Sequence, residues 1–254
     1  MEPNRDAVLV DNDLYHQMGE AWYRAEDHPV ALLRSESRVK NRWILDRLVK
    51  SKLSSDVPVH VLDVGCGAGF FCNEASRHGF AVTGIDLADD ALGVAARFDD
   101  TKSVRYLRAD AHHLPFKDGE FDFVVSLDFL EHTPDPATVI SEIARVVKPG
   151  GGFFFHTFNR NWLSHLVAIK GVEWFVKNTP PNLHAIELFI KPVELGQMCA
   201  NVGLTAVEWR GIRPVFNRSF LRLLVEGLVD DDFEFRETSS LKISYLGFAQ
   251  KRKP

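Results

Sequence analysis

The stretch Val59-His60-Val61-Leu62-Asp63-Val64-Gly65-Cys66-Gly67-Ala68-Gly69-Phe70-Phe71-Cys72 decides the fold. Val59–Val64 is a short apolar run that ends in Asp-x-Gly and reads as a buried strand. Phe70–His78 reads as a helix stopped by Gly79. Between them, glycines at 65, 67 and 69 let the backbone come close to a ligand, because glycine has no Cβ.

Outward from this turn, strand-like and helix-like segments alternate. Ala81–Leu87 is the second strand and Asp89–Phe98 a helix with an acid available as its cap. Val104–Leu107 and Phe121–Leu127 are further strands. Asp135-Pro136 opens the best-marked helix, with a capping acid, proline at the first helical position and a stripe of Val139, Ile140, Ile143, Val146 and Val147. Lys148-Pro149-Gly150 stops it, and Gly152–Phe158 is the fifth strand. Such alternation predicts a Rossmann-like, doubly wound α/β fold, mostly parallel. Pro192–Ala200 then reads as a helix and Thr205–Trp209 as a strand. Lys242–Ala249 closes the sheet as a seventh, antiparallel strand. One domain uses the whole chain: a helical cap over 1–56, a core over 57–158, an insertion over 159–190 and the rest of the sheet over 191–254.

Bulk numbers set limits. The 254 residues can bury a large core. A net charge of −5 lacks the basic face that nucleic-acid binding requires. Three cysteines, with no CxxC pair, fit a reducing compartment rather than a disulfide framework. Met1–Asp13 carries four acids and no apolar run, so no secretory signal is expected, nor a membrane span. A cytoplasmic protein follows, with a peripheral membrane contact left open.

The spacing of the glycines narrows the ligand. In a dinucleotide fingerprint the sixth position is small so that helix and strand can pack, and here it is Phe70. Asp86, 17 residues past Gly69, ends the second strand and suits both hydroxyls of a ribose. Asp110 ends the third and suits an adenine amine. Both stand where ligands of such sheets bind, beyond the carboxyl ends of the strands.

Leu62–Gly69, Gly84-Ile85-Asp86, Ala109-Asp110-Ala111, Leu114-Pro115-Phe116 and Val147-Lys148-Pro149-Gly150-Gly151 resemble the successive motifs of class I S-adenosylmethionine-dependent methyltransferases. Thr157-Phe158-Asn159-Arg160-Asn161, His184 and Phe189-Ile190-Lys191-Pro192 are similar to the ubiquinone-biosynthesis O-methyltransferases, as is Asp128-Phe129-Leu130-Glu131-His132. Those enzymes methylate catechol-type hydroxyls on polyprenylated aromatic rings. The resemblance implies cofactor contacts at Arg38, Asp63, Gly65, Gly67, Gly69, Asp86, Leu87, Asp110, Ala111 and Leu127. It also implies catalysis at Glu131 and His132, and a divalent cation such as Mg2+ on Asp128, Glu131 and His132. If this segment is helical, those three share one face at i, i+3 and i+4. His132 as a direct base and the three as metal ligands are both open.

Asn161–Lys177 carries Trp162, Leu166, Ile169, Val172 and Val176 on one stripe, which suits either a lid or core packing, or a membrane-facing helix. Leu33–Trp43 lacks the family's Asn-Pro, and Ala185 replaces its aspartate. A C- or N-methyltransferase on another small or lipid-like acceptor is therefore the alternative, and a non-catalytic cofactor-binding module a more distant one.

Overall fold

A computed structural model describes residues 18–52, 57–180 and 183–253. Met1–Asp13 lies outside these residues. Helix α1 (Ala21–Arg24) and the long α2 (Val30–Lys52) precede the first strand. Then follow β1 (His60–Val64), α3 (Phe70–Arg77), β2 (Ala81–Asp86), α4 (Asp89–Phe98), β3 (Arg105–Arg108), β4 (Phe121–Leu127), α5 (Pro136–Val146) and β5 (Val147–Phe158). The remainder is α6 (Trp162–Ser164), α7 (Gly171–Phe175), α8 (Pro192–Asn201), β6 (Leu204–Pro214), α9 (Arg218–Glu226), β7 (Phe235–Thr238) and β8 (Ser244–Lys251).

Among the described residues the sheet has eight strands, in the order β3-β2-β1-β4-β5-β8-β6-β7, rather than the expected seven. β1 to β5 pair in parallel, while β8 runs antiparallel between β5 and β6. The additional strand is β7, four residues long and, among the described residues, paired to β6 alone. The reversal of strand order falls between β1 and β4, so the carboxyl ends of both open onto one crevice.

Side chains alternate across the sheet with period two, as a sheet covered on both faces requires. Leu62, Val64, Val124, Phe153, Phe155 and Tyr245 face α5 and α8. Val61, Val82, Val125, Phe154 and Leu246 face α2 and α3. Asp135 caps α5 by accepting from Thr138 N, an interaction worth about 1 kcal/mol. The Asn161–Lys177 segment is helical but not one regular helix, because a π-turn at His165–Lys170 joins α6 to α7. That extra turn breaks the expected stripe. Ile169 and Val176 are buried while Trp162 is 77% exposed.

Candidate functional site

The glycine loop is held by β2. Gly65 N and Cys66 N both donate to Ile85 O at 2.9 Å, and Asp86 Oδ2 accepts from Gly67 N at 2.8 Å. Gly65 sits at φ +73°, and a Cβ there would stand 2.8 Å from Phe129 Cβ. The loop therefore needs glycine for both backbone and space. Gly69 serves differently. It does not line the cleft; a Cβ on it would meet Ala95 Cβ at 2.8 Å, so it allows α3 to pack on its neighbours. Gly69 was expected as a cofactor contact, and in this fold its place is in helix packing.

Asp63, Gly65, Gly67, Asp86, Leu87, Asp110, Ala111 and Leu127 line one cleft of about 770 Å³, and His132 stands in the same cleft. Asp63 is buried, and burial pushes its carboxyl up to about 7 despite the Cys72 thiol donating to it at 3.2 Å. Asp110 is held below the usual range, first by the backbone N–H of His112 and then by its ring. Thr133 Oγ1 bonds the other nitrogen of His112 at 2.9 Å and fixes the ring. Glycines that a side chain would fill, with carboxylates at the ends of β2 and β3, fit a sulfonium nucleoside with its ribose and adenine.

Another expected contact is placed elsewhere. Arg38 turns outward, donating to Asp231 O at 2.6 Å, and does not line the cleft. The basic residue that α2 sends into it is Lys40. Lys40 is fully buried between Glu36 Oε2 at 3.3 Å and Asp128 Oδ2. Burial opposes its charge, but Asp128 and Glu36 outweigh burial and hold the ammonium above its ordinary range.

Asp128, Glu131 and His132 do not share a helical face. Asp128 lies before the helical turn at φ +55°, and only Leu130–His132 form a short 3₁₀ turn. Asp128 Oδ1 accepts from His156 Nδ1 at 2.6 Å, and its partners keep it well below the carboxylate range against the cost of burial. Glu131 is buried away from the cleft and accepts from Thr157 Oγ1 at 2.8 Å. Burial first, and the charge of Asp128 second, push it up to about 8, so it carries a proton at neutral pH. Glu131 thus lies outside the cleft lining, and its ligand-capable atoms do not converge with those of Asp128 and His132. Among the described residues, the acids and histidines that do converge are Glu36, Asp128 and His156. The implied divalent cation does not fit Asp128, Glu131 and His132 as the fold arranges them.

His132 is brought together with His184, ring centroids 5.3 Å apart. Phe158 stands 5.4 Å from His184 and stacks on Phe189 at 5.1 Å. Burial pushes His132 down to about 4 and His184 to about 3, so both rings are neutral at pH 7. Beyond them the cleft is walled by Leu32, Val172, Phe175, Leu223, Leu224 and Phe233. In sequence His184 is marked only by its motif; its place in the cleft wall depends on packing against Phe158 and Phe189, which local pattern does not show. Lys40 and Glu36 had a fainter signal, since they continue the row Ile44–Leu48 at spacings of four along α2.

Residues 62–155 match a methyltransferase domain family. A ubiquinone biosynthesis O-methyltransferase of Thiobacillus denitrificans is 44% identical over 155 residues, 60% of this chain and 67% of that one. That of Hydrogenovibrio crunogenus is 38% identical over 194 residues, 75% of each chain. In fold, a magnesium protoporphyrin IX methyltransferase from Synechocystis PCC 6803, solved with bound SAH, superposes with a TM-score of 0.58 at 17% identity, covering 85% of this chain and 84% of that one. The glycine cradle, the strand-end carboxylates and these relatives together show that the chain belongs to the ubiquinone biosynthesis O-methyltransferase family and is an S-adenosylmethionine-dependent methyltransferase.

Proposed function

We propose that this chain methylates a catechol-type hydroxyl on a prenylated quinone precursor. One observation carries the reading: a single cleft runs from the glycine loop, past His132 and His184, into apolar walls from α2, α7 and α9. Asp86, Asp110 and the loop hold the methyl donor, which supplies an electrophilic carbon on a sulfonium. Phe158 and His184 form the aromatic side of the acceptor space, with the buried Phe189 packed behind them. His132, which stands in the cleft, takes the hydroxyl proton as the oxygen–carbon bond forms and the carbon–sulfur bond breaks. The sulfur keeps the bonding pair as a thioether, and His132 returns its proton to water.

The apolar end suits a prenyl tail. Its rim exposes Leu166, Trp174, Phe175 and Leu224, with Leu221 and Val225 on the outer side of α9. No helix among the described residues is long and apolar enough to cross a membrane. This rim supports a peripheral contact with the lipid surface that holds such a substrate, and α9 adds to it a helix outside Asn161–Lys177.

Methyl-labelled S-adenosylmethionine and a prenylated catechol test the proposal, with the product located by mass spectrometry. An O-methyl ether is expected. Methylation confined to ring carbon, or to amines offered in parallel, would overturn the oxygen assignment. Flotation with anionic vesicles checks the rim: replacing Trp174 and Phe175 by serine should reduce the bound fraction.

A further inference from the structure

A cation on Asp128, Glu131 and His132 would need carboxylate oxygens and an imidazole nitrogen turned to a common point. In this fold both oxygens of Asp128 are already engaged, Oδ1 by His156 Nδ1 and Oδ2 by Lys40 Nζ. Glu131 turns Oε2 to Thr157, while its Oε1 is buried without a hydrogen bond among the described residues and converges with no second acid or histidine on a common point. The groups that converge instead are Glu36, Asp128 and His156, with ligand-capable atoms all within 4.8 Å of one another. Lys40 bonds two of these three.

We propose that Lys40 is the resident cation of this cluster and that methyl transfer by this chain proceeds without a divalent metal ion. Glu36 is buried and the Asp128 side chain is only 13% exposed, so the two carboxylates need a positive partner, and the ammonium on α2 supplies it as part of the chain. A metal ion entering among the same oxygens would meet that ammonium in a poorly screened interior, where like charges repel strongly. Lys40 acts through Asp128 and is a positioning residue. It holds the carboxylate that follows β4, and the next residue, Phe129, is the side chain against which Gly65 closes. The ammonium thus ties α2 to the junction between cofactor loop and acceptor wall.

Without Lys40, two carboxylates and an imidazole would face one another, a donor set that Co2+ or Zn2+ accepts. The inference rests on the O-methyltransferase reading only for its choice of acceptor, so the test has an arm independent of turnover. Purified full-length protein is stripped with chelator and its metal content measured by plasma mass spectrometry. Methyl transfer to the catechol is then assayed with and without Mg2+, while Co2+ is titrated and followed by its visible absorption. Stripped wild-type protein should keep its rate within about twofold and develop no cobalt band. Lys40→Met should develop one, Lys40→Arg should not, and Lys40→Met with Asp128→Asn should lose it. The proposal is overturned by a stripped enzyme that loses tenfold or more and recovers with Mg2+. It is equally overturned by a cobalt band in the wild type, or by folded Lys40→Met that binds none. Thermal melts establish folding; if Lys40→Met does not fold, the wild-type chelation and cobalt arms still decide. If no catechol is methylated at all, the acceptor reading fails while the cobalt arm still judges Lys40.

Discussion

The two ends of the cleft are built in different ways. The cofactor end is made by backbone: Gly65 and Gly67, the ends of parallel strands β1, β2 and β3, and an aspartate that bonds the loop. The acceptor end is made by side chains from α2, the turn after β4, β5 and the loop holding His184. Backbone construction fixes a ligand common to many enzymes, whereas side-chain construction can be re-lined without disturbing the sheet. Substitutions at one end should therefore alter cofactor affinity and those at the other should alter turnover.

The largest effect is expected at the acceptor end. His132→Gln should lower kcat by about 10³-fold, the scale of a lost general base, while calorimetry finds S-adenosylmethionine binding unchanged. Weakened cofactor binding in that variant would break the division. Gly65→Val probes the opposite end, where a side chain meets Phe129 at a left-handed backbone position. Cofactor Kd should rise on the order of 100-fold by calorimetry. Asp86→Asn keeps the shape but removes the charge, and about tenfold weaker binding is expected. An unaltered Kd would mean that Asp86 serves only Gly67 N and Ala88 N, which it bonds at 2.8 and 2.9 Å.

The smallest effect on turnover belongs to Glu131, which lies behind the acceptor end. Its carboxyl is raised to about 8 in the fold, so the stability it contributes is fully present below the unfolded value near 4.5. That stability is lost as pH rises through 8. Glu131→Gln keeps an acceptor for Thr157 and has no proton to lose. Urea midpoints at pH 6 and pH 9 should show the wild type falling relative to the variant by about 2–3 kcal/mol, with little change in kcat at pH 7. Parallel stabilities at both pH values would show that Glu131 is ionised in the fold.

The same contrast governs what could be read from sequence. β4 and α4 have the ends expected of them, and Asp135-Pro136 marks the start of α5, because caps, prolines and strand–turn–helix spacing are local rules. The glycine loop was legible for the same reason. Arg38 against Lys40 was not. The two lie on nearly opposite sides of one helix, and which side meets the cleft is set by how α2 packs on α3 and β7. Helical spacing at Asp128, Glu131 and His132 also misled, since Asp128 adopts a left-handed conformation before the turn begins. β7 escaped because a four-residue edge strand carries little pattern of its own.

The position of β8 bears on how the molecule is made. It lies between β5 and β6, both of which leave the ribosome first. During synthesis β5 has an open edge, and β6 with β7 has nothing to join, until residues 244–251 emerge. The cofactor half can assemble from neighbouring segments, but joining the two halves waits for one late, long-range insertion. The nascent chain must hold an unpaired β5 edge in solution through nearly a hundred residues of further elongation, an interval in which a chaperone would be of most use to it.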